Sequence, residues 1–213
     1  DMAMERGLPL RELFAGTGLD EPDLKDPSRM ISLEEEYRVI RNLQRHCGNE
    51  AGLGFEAGSR YRFTTLGSLG FALVSSPTLR KAFEISVRYA DLGASLIRVV
   101  LDAEGRDLRA GFKENELPAD LRQFAVERTM AVGLTIYRYL LGRPVIPRAM
   151  DFTSARPSDV GVYERFAGVT PSFGMPKSSA KRRMAPWKSS TAIAMWSRLG
   201  IMGSWRSATR PGR

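Results

Sequence analysis

The sequence predicts an α+β fold: an N-terminal helical lobe, a small, mostly antiparallel sheet carrying packed helices, and an irregular C-terminal tail. Three observations predict it. Apolar residues recur at three- and four-residue spacing through most of the first ninety positions. Between Leu96 and Lys113 the period changes to two, with Leu108, Ala110 and Phe112 alternating with Arg109, Gly111 and Lys113. After Gly174 the composition changes: residues 177–213 hold nine Lys/Arg, no Asp or Glu, and all three tryptophans (Trp187, Trp196, Trp205). The expected organisation is one domain over 1–175, with a helical lobe at 1–92 and an α+β part at 93–175, followed by a basic Trp/Ser/Arg-rich tail at 176–213.

Taken in order, Pro9 to Ala15 reads as a short helix ended by Gly16 and Gly18, and Glu21–Leu24 as a turn. Ser32 and Glu35 form a capping box, and the helix they open carries Leu33, Tyr37, Ile40 and Leu43 on one face and ends near Gly48. Residues 50–58 form a weaker helix among four glycines. Leu66–Phe83 is the longest weakly charged run. It reads as a helical hairpin: Leu66, Leu69, Leu73 and Val74 make one stripe, Gly67 and Gly70 leave room for another backbone, and Ser76 with Pro77 caps the second helix. Two strands follow, Leu96–Asp102 and Asp107–Lys113. Pro118 opens a long helix to Leu141, closed by Gly142 and Pro144, and its second half is apolar on most sides, as in a helix buried between layers or at a subunit interface. Val145–Thr153 is a third strand with Pro147 favouring an edge. Ser158 caps a helix ended by Gly168, and Val169–Phe173 starts a fourth strand.

Charge and cysteine content bound the function. The formal charge of +8 belongs to the tail, because residues 1–176 carry 23 Lys/Arg against 24 Asp/Glu. Cys47 is the only cysteine and His46 the only histidine, so no disulfide framework and no Cys/His zinc site forms within one chain. No apolar run reaches eighteen residues and no leader with a cleavage site is visible, which predicts a cytoplasmic protein without a membrane span. There is no phosphate loop ending in Lys-Ser/Thr, no Gly-x-Ser-x-Gly elbow and no metal-spaced cluster. The chain is therefore read as no enzyme, without catalytic residues, metal or cofactor. Glu34–Glu36 reads as the acidic first turn of a helix.

The run Leu66-Gly-Ser-Leu-Gly-Phe-Ala-Leu-Val-Ser-Ser-Pro-Thr-Leu-Arg-Lys-Ala82 resembles the hallmark of the N-terminal effector-binding, arabinose-binding-domain-like domain of AraC-type bacterial transcription regulators, in the branch that includes ornithine-utilisation regulators. Gly16–Asp20 with Asp26–Pro27 and Ile31 resembles that family's opening. Tyr163–Val169 with Phe173–Gly174 is similar to its closing helix and strand. The resemblance covers residues 8–175. It implies a ligand-sensing domain that takes a small-molecule effector and forms a homodimer, in regulators whose C-terminal helix-turn-helix units bind promoter DNA. It names neither the effector nor the regulated genes.

Nothing resembling those DNA-binding units follows Gly174. One reading of 177–213 is a frameshifted or artificially truncated translation, which would lose acidic residues and gain Arg, Ser and Trp; such a chain senses but binds no specific DNA site. The alternative is a stand-alone ligand-binding or interaction protein whose basic tail, centred on Lys181, Arg182 and Arg183, binds nucleic acid or an anionic membrane. For an effector, an apolar pocket between helical lobe and sheet is expected. Its candidate lining residues are Phe71, Tyr89, Arg98 and Arg148, aromatic or basic residues beside predicted core faces, an arginine suiting a carboxylate.

Overall fold

The computed structural model describes residues 2–26, 28–48, 50–89, 96–104, 107–113, 117–175 and 195–198. The described residues form α1 (Met2–Glu5), α2 (Leu10–Leu13), α3 (Leu33–Cys47), α4 (Leu53–Ser59), α5 (Gly67–Val74), α6 (Leu79–Arg88), β1 (Arg98–Glu104), β2 (Asp107–Lys113), α7 (Arg122–Leu141), β3 (Pro147–Met150), α8 (Gly161–Ala167) and β4 (Met195–Arg198). The α+β class expected from the sequence is the class observed: helices first, then a small antiparallel sheet with helices packed on it.

The helix ends follow local chemistry. Ser32 accepts a hydrogen bond from the Glu35 amide at 3.2 Å, and the Glu35 carboxylate accepts the Ser32 amide at 2.7 Å, closing the capping box of α3. Gly48 ends α3 and Gly142 ends α7, both with φ in the left-handed region that glycine tolerates. At α6 the expected cap moves. The Thr78 hydroxyl takes the Lys81 amide at 3.1 Å, whereas Ser76 donates back to the Ala72 carbonyl at 2.7 Å and so finishes α5. At α8 it is Asp159, not Ser158, that accepts the amide of Gly161, at 2.7 Å.

The sheet order is β1-β2-β4-β3, every pairing antiparallel. The β1–β2 hairpin pairs Arg98 with Lys113 and Glu104 with Asp107. Two expectations are revised here. Val169–Phe173 is not a ladder strand; instead Ser172 bridges Asp151 in parallel, the Phe152 amide donating to Ser172 O at 2.8 Å. Met195–Arg198 departs from the irregular tail expected over 176–213. Its backbone runs as β4 between β2 and β3, because a strand's unpaired backbone groups accept any segment that supplies partners, whatever its side-chain period. Lys181, Arg182 and Arg183 lie outside the described residues.

One core runs through both parts of the chain, from Ala3, Leu8, Ile40 and Phe55 to Phe112, Met130, Phe152 and Tyr163. A satellite core of Leu73, Ala82 and Ile136 lies under α5 and α6. α7 contributes to both, which explains its apolar second half without a subunit interface. The close backbone approach expected at Gly67 and Gly70 is partly relocated. Gly70 does sit against its own preceding turn, where a Cβ would fall 1.7 Å from Phe63 O, but Gly67 faces open space. The tight helix–helix approach is that of α4 on α7: a Cβ on Gly54 would stand 2.3 Å from Phe124 O, and one on Gly58 2.3 Å from Arg128 O.

Candidate functional site

α7 organises the chemistry of the domain. Its first half holds a buried carboxylate. Glu127 Oε2 accepts the backbone amides of Gly52 and Gly54, each at 3.1 Å; Oε1 accepts the Tyr163 hydroxyl at 2.6 Å and the Gln123 amide at 3.1 Å. Four donors from α7, the α4 entry and α8 meet one side chain that is 1 % exposed. Burial raises its pKa above the ordinary carboxylate value, and the four hydrogen bonds pull the other way. The same burial, with the neighbouring carboxylate, raises that of Tyr163. The next residue, buried Arg128, donates to Glu36 of α3 at 2.7 Å and lies over the Phe124 ring. The acidic first turn of α3 therefore also neutralises a core cation. These groups are fully occupied with one another, which makes them a structural clamp.

The second half of α7 faces three elements with three consecutive residues, since successive helical side chains turn by about 100°. The Tyr137 hydroxyl is 2.9 Å from Ser86 Oγ, and its ring lies 5.8 Å from that of Phe83, so it holds α6; burial pushes its pKa up to about 12. Tyr139 is 58 % exposed and packs at 5.1 Å on Phe63, which meets Phe71 edge-on at 5.8 Å. Arg138 turns toward β3 and α8. Its Nε and Nη2 donate to Val145 O at 3.3 and 3.2 Å, Nη2 donates to Phe166 O at 2.9 Å, and the guanidinium lies 5.1 Å from the Phe166 ring centre. Desolvation lowers its pKa.

The four residues expected to line a pocket are all exposed. Phe71, on α5, is linked through Phe63 to the C-terminal end of α7. Tyr89 directly follows α6. Arg98 and Arg148 stand on the two edge strands of the sheet. The register sets Arg148 level with Asp102 and Ala103 of β1, four to five residues along from Arg98. Three strand spacings and that offset put the two Cα atoms about 20 Å apart. The sheet therefore does not bring these two arginines to one small ligand. Sequence reasoning missed Glu127, Arg138 and Tyr163. The only available signal was charged residues within an otherwise apolar helix, Glu127, Arg128 and Arg138.

His46 is exposed in the last turn of α3, its Nε2 3.1 Å from the Arg6 carbonyl, and Cys47 is half-buried. Among the described residues no group of three or more His, Cys, Asp or Glu could hold a metal, and no helix is long and apolar enough to cross a membrane.

Comparison with known proteins agrees with this architecture. The family described as the arabinose-binding domain of AraC transcription regulators, N-terminal, matches residues 7–183. A helix-turn-helix-type transcriptional regulator of Mycobacterium tuberculosis is 32% identical over 155 residues, 73% of this chain and 45% of that protein. The ornithine utilization regulator of Pseudomonas aeruginosa is 28% identical over 179 residues, 83% of this chain and 52% of the relative. Among solved structures, the transcriptional regulator CdpR from Pseudomonas aeruginosa shares the fold with a TM-score of 0.55 at 17% identity, over 93% of this chain and 55% of that one. The chain thus spans about half the length of the curated relatives it matches. It belongs to the family of arabinose-binding N-terminal domains of AraC transcription regulators.

Proposed function

We propose that this chain is the ligand-sensing part of an AraC-type regulator, taking a small-molecule effector and governing a DNA-binding part that lies elsewhere in the longer relatives. The observation that carries the reading is the family match across residues 7–183, which includes every element from α2 to α8. A body with near-balanced charge over residues 1–176 supports it too, since DNA-binding domains commonly carry a marked net positive charge. The same reading makes the chain a non-catalytic, cytoplasmic domain that self-associates as a homodimer, which sedimentation velocity tests.

The names of the family and of one relative point to two ligand chemistries, a neutral sugar and an amino-acid carboxylate. Phe71, Tyr89, Arg98 and Arg148 are the proposed contacts. Because the sheet separates the two arginines, a small ligand contacts at most one of them, and Arg148 shares the β3 side of the domain with the turn held by Arg138.

A gel-shift titration of the 213-residue chain against the promoter region beside its own gene tests the division of labour. The expected outcome is no sequence-specific complex. A specific complex that survives excess unrelated DNA would overturn the proposal. Salt-sensitive, non-specific retardation that disappears on replacing Lys181, Arg182 and Arg183 by Glu would favour the basic-tail alternative.

A further inference from the structure

We propose that Arg138 is the anchor for the carboxylate of a small organic acid, which rests on the ligand-sensing reading above and adds to it the ligand class and the anchoring residue. The two arginines that α7 turns inward make the contrast. Arg128 is neutralised by Glu36 at 2.7 Å. Arg138, ten residues on, is paired with no carboxylate among the described residues. Its hydrogen bonds go only to the neutral carbonyls of Val145 and Phe166. Those bonds fix the guanidinium between the β3 entry and the last turn of α8, with the Phe166 ring on one face. They use Nε and Nη2 and leave the Nη1 hydrogens for another acceptor.

A half-buried cation held this way costs solvation free energy that two carbonyl dipoles offset only in part. Residues 128–150 contain four arginines and no Asp or Glu, and of the acids that follow, Asp159 pairs with Arg165 and Glu164 accepts the Thr170 hydroxyl at 2.6 Å. An incoming carboxylate would complete the charge balance, and the fixed orientation removes much of the entropy cost of binding. Beside it, Ile146 is 57 % exposed next to Val145. An apolar body attached to the carboxylate would lie there, whereas a neutral sugar would leave the charge unmatched. Capping of α8 alone would need the carbonyl contacts and no ligand, so the two roles separate in experiment.

The test uses the full chain with ¹⁵N-labelled arginine, titrated with sodium propionate against equal sodium chloride, and through-bond assignment of the guanidinium signals. The Arg138 signals are expected to move saturably with propionate, while those of exposed Arg11 and Arg156 drift linearly or stay still. The thermal midpoint should rise with propionate, with an apparent affinity at least about tenfold weaker in Arg138→Lys, which keeps the charge but loses the planar fork. If the Arg138 signals do not move, or move in step with every other arginine, the anchor is wrong; the wild-type titration decides this even if the variant fails to fold. L-Arabinose separates the two claims. Stabilisation by the sugar, equal in wild type and Arg138→Lys and without a propionate response, would overturn the anchor and leave the sensing reading standing. No response to either ligand would count against both.

Discussion

Glu127 is the residue on which the packing of three helices depends most. Removing it strands two backbone amides and a tyrosine hydroxyl inside the core. Glu127→Ala should therefore lower unfolding free energy by about 3–5 kcal/mol, as for other buried charges stripped from their partners, measured by urea denaturation. Its pH signature is unusual for a carboxylate. Burial raises the folded-state pKa, so between the ordinary value near 4.5 and that raised value the native state binds more protons than the unfolded chain. Stability from this group grows as pH falls through that window and is lost as pH rises through it. Wild type should gain on Glu127→Gln as pH is lowered from 7 toward 5 in paired denaturation curves; a gap that narrows instead would contradict the burial argument. The neighbouring tie is weaker. Ser86→Ala removes the partner of the Tyr137 hydroxyl and should cost about 1 kcal/mol.

At the scale of elements, the α4–α7 contact sets opposite signs for glycine substitutions. Gly54→Ala would place a methyl group 2.3 Å from the Phe124 carbonyl and should cost about 3 kcal/mol, since backbone on rigid α7 cannot move aside. Gly133 lies within the same long helix with open space where a Cβ would stand. Gly133→Ala should stabilise by about 0.5–1 kcal/mol through helix propensity alone. Thermal melts of the two variants check both signs at once. The sequence showed four glycines near residues 48–58 but not their partner. Gly54 and Gly58 are four apart, hence on one face, yet nothing local says that Phe124–Arg128 lies opposite. In contrast, the ends of α3 were legible because its capping box and closing glycine are local signals, although Leu33 of its expected apolar face is exposed. β2 was legible for the same reason, through its period of two. Arg138 was not legible as a site residue, since its meaning comes from Val145 and Phe166, brought to it by the turn after α7 and by α8.

Across the whole molecule, α7 joins the main core to the satellite core under α5 and α6. Exposed ion pairs add a second tie: Arg6 reaches Glu50 at 3.1 Å and also Glu56, and Arg60 holds Glu5 at 2.6 Å, binding α1 to α4. Salt screens such surface pairs, so amide exchange in residues 2–6 should quicken at 1 M NaCl while α7 stays protected. The family assignment was readable from the Leu66–Ala82 run because that stretch carries order and spacing, not chemistry. The site was not, because α7's functional side chains are scattered through an apolar pattern. A sensing domain must bind a small molecule and transmit that event. The most direct measurement is a thermal-shift screen of the full chain against a library of sugars and small organic acids, followed by calorimetric titration of each hit. Saturable binding of at least one compound, one per chain, is the expected result. A screen in which no compound shifts the melt, beside sequence-specific promoter binding by the same chain, would contradict it.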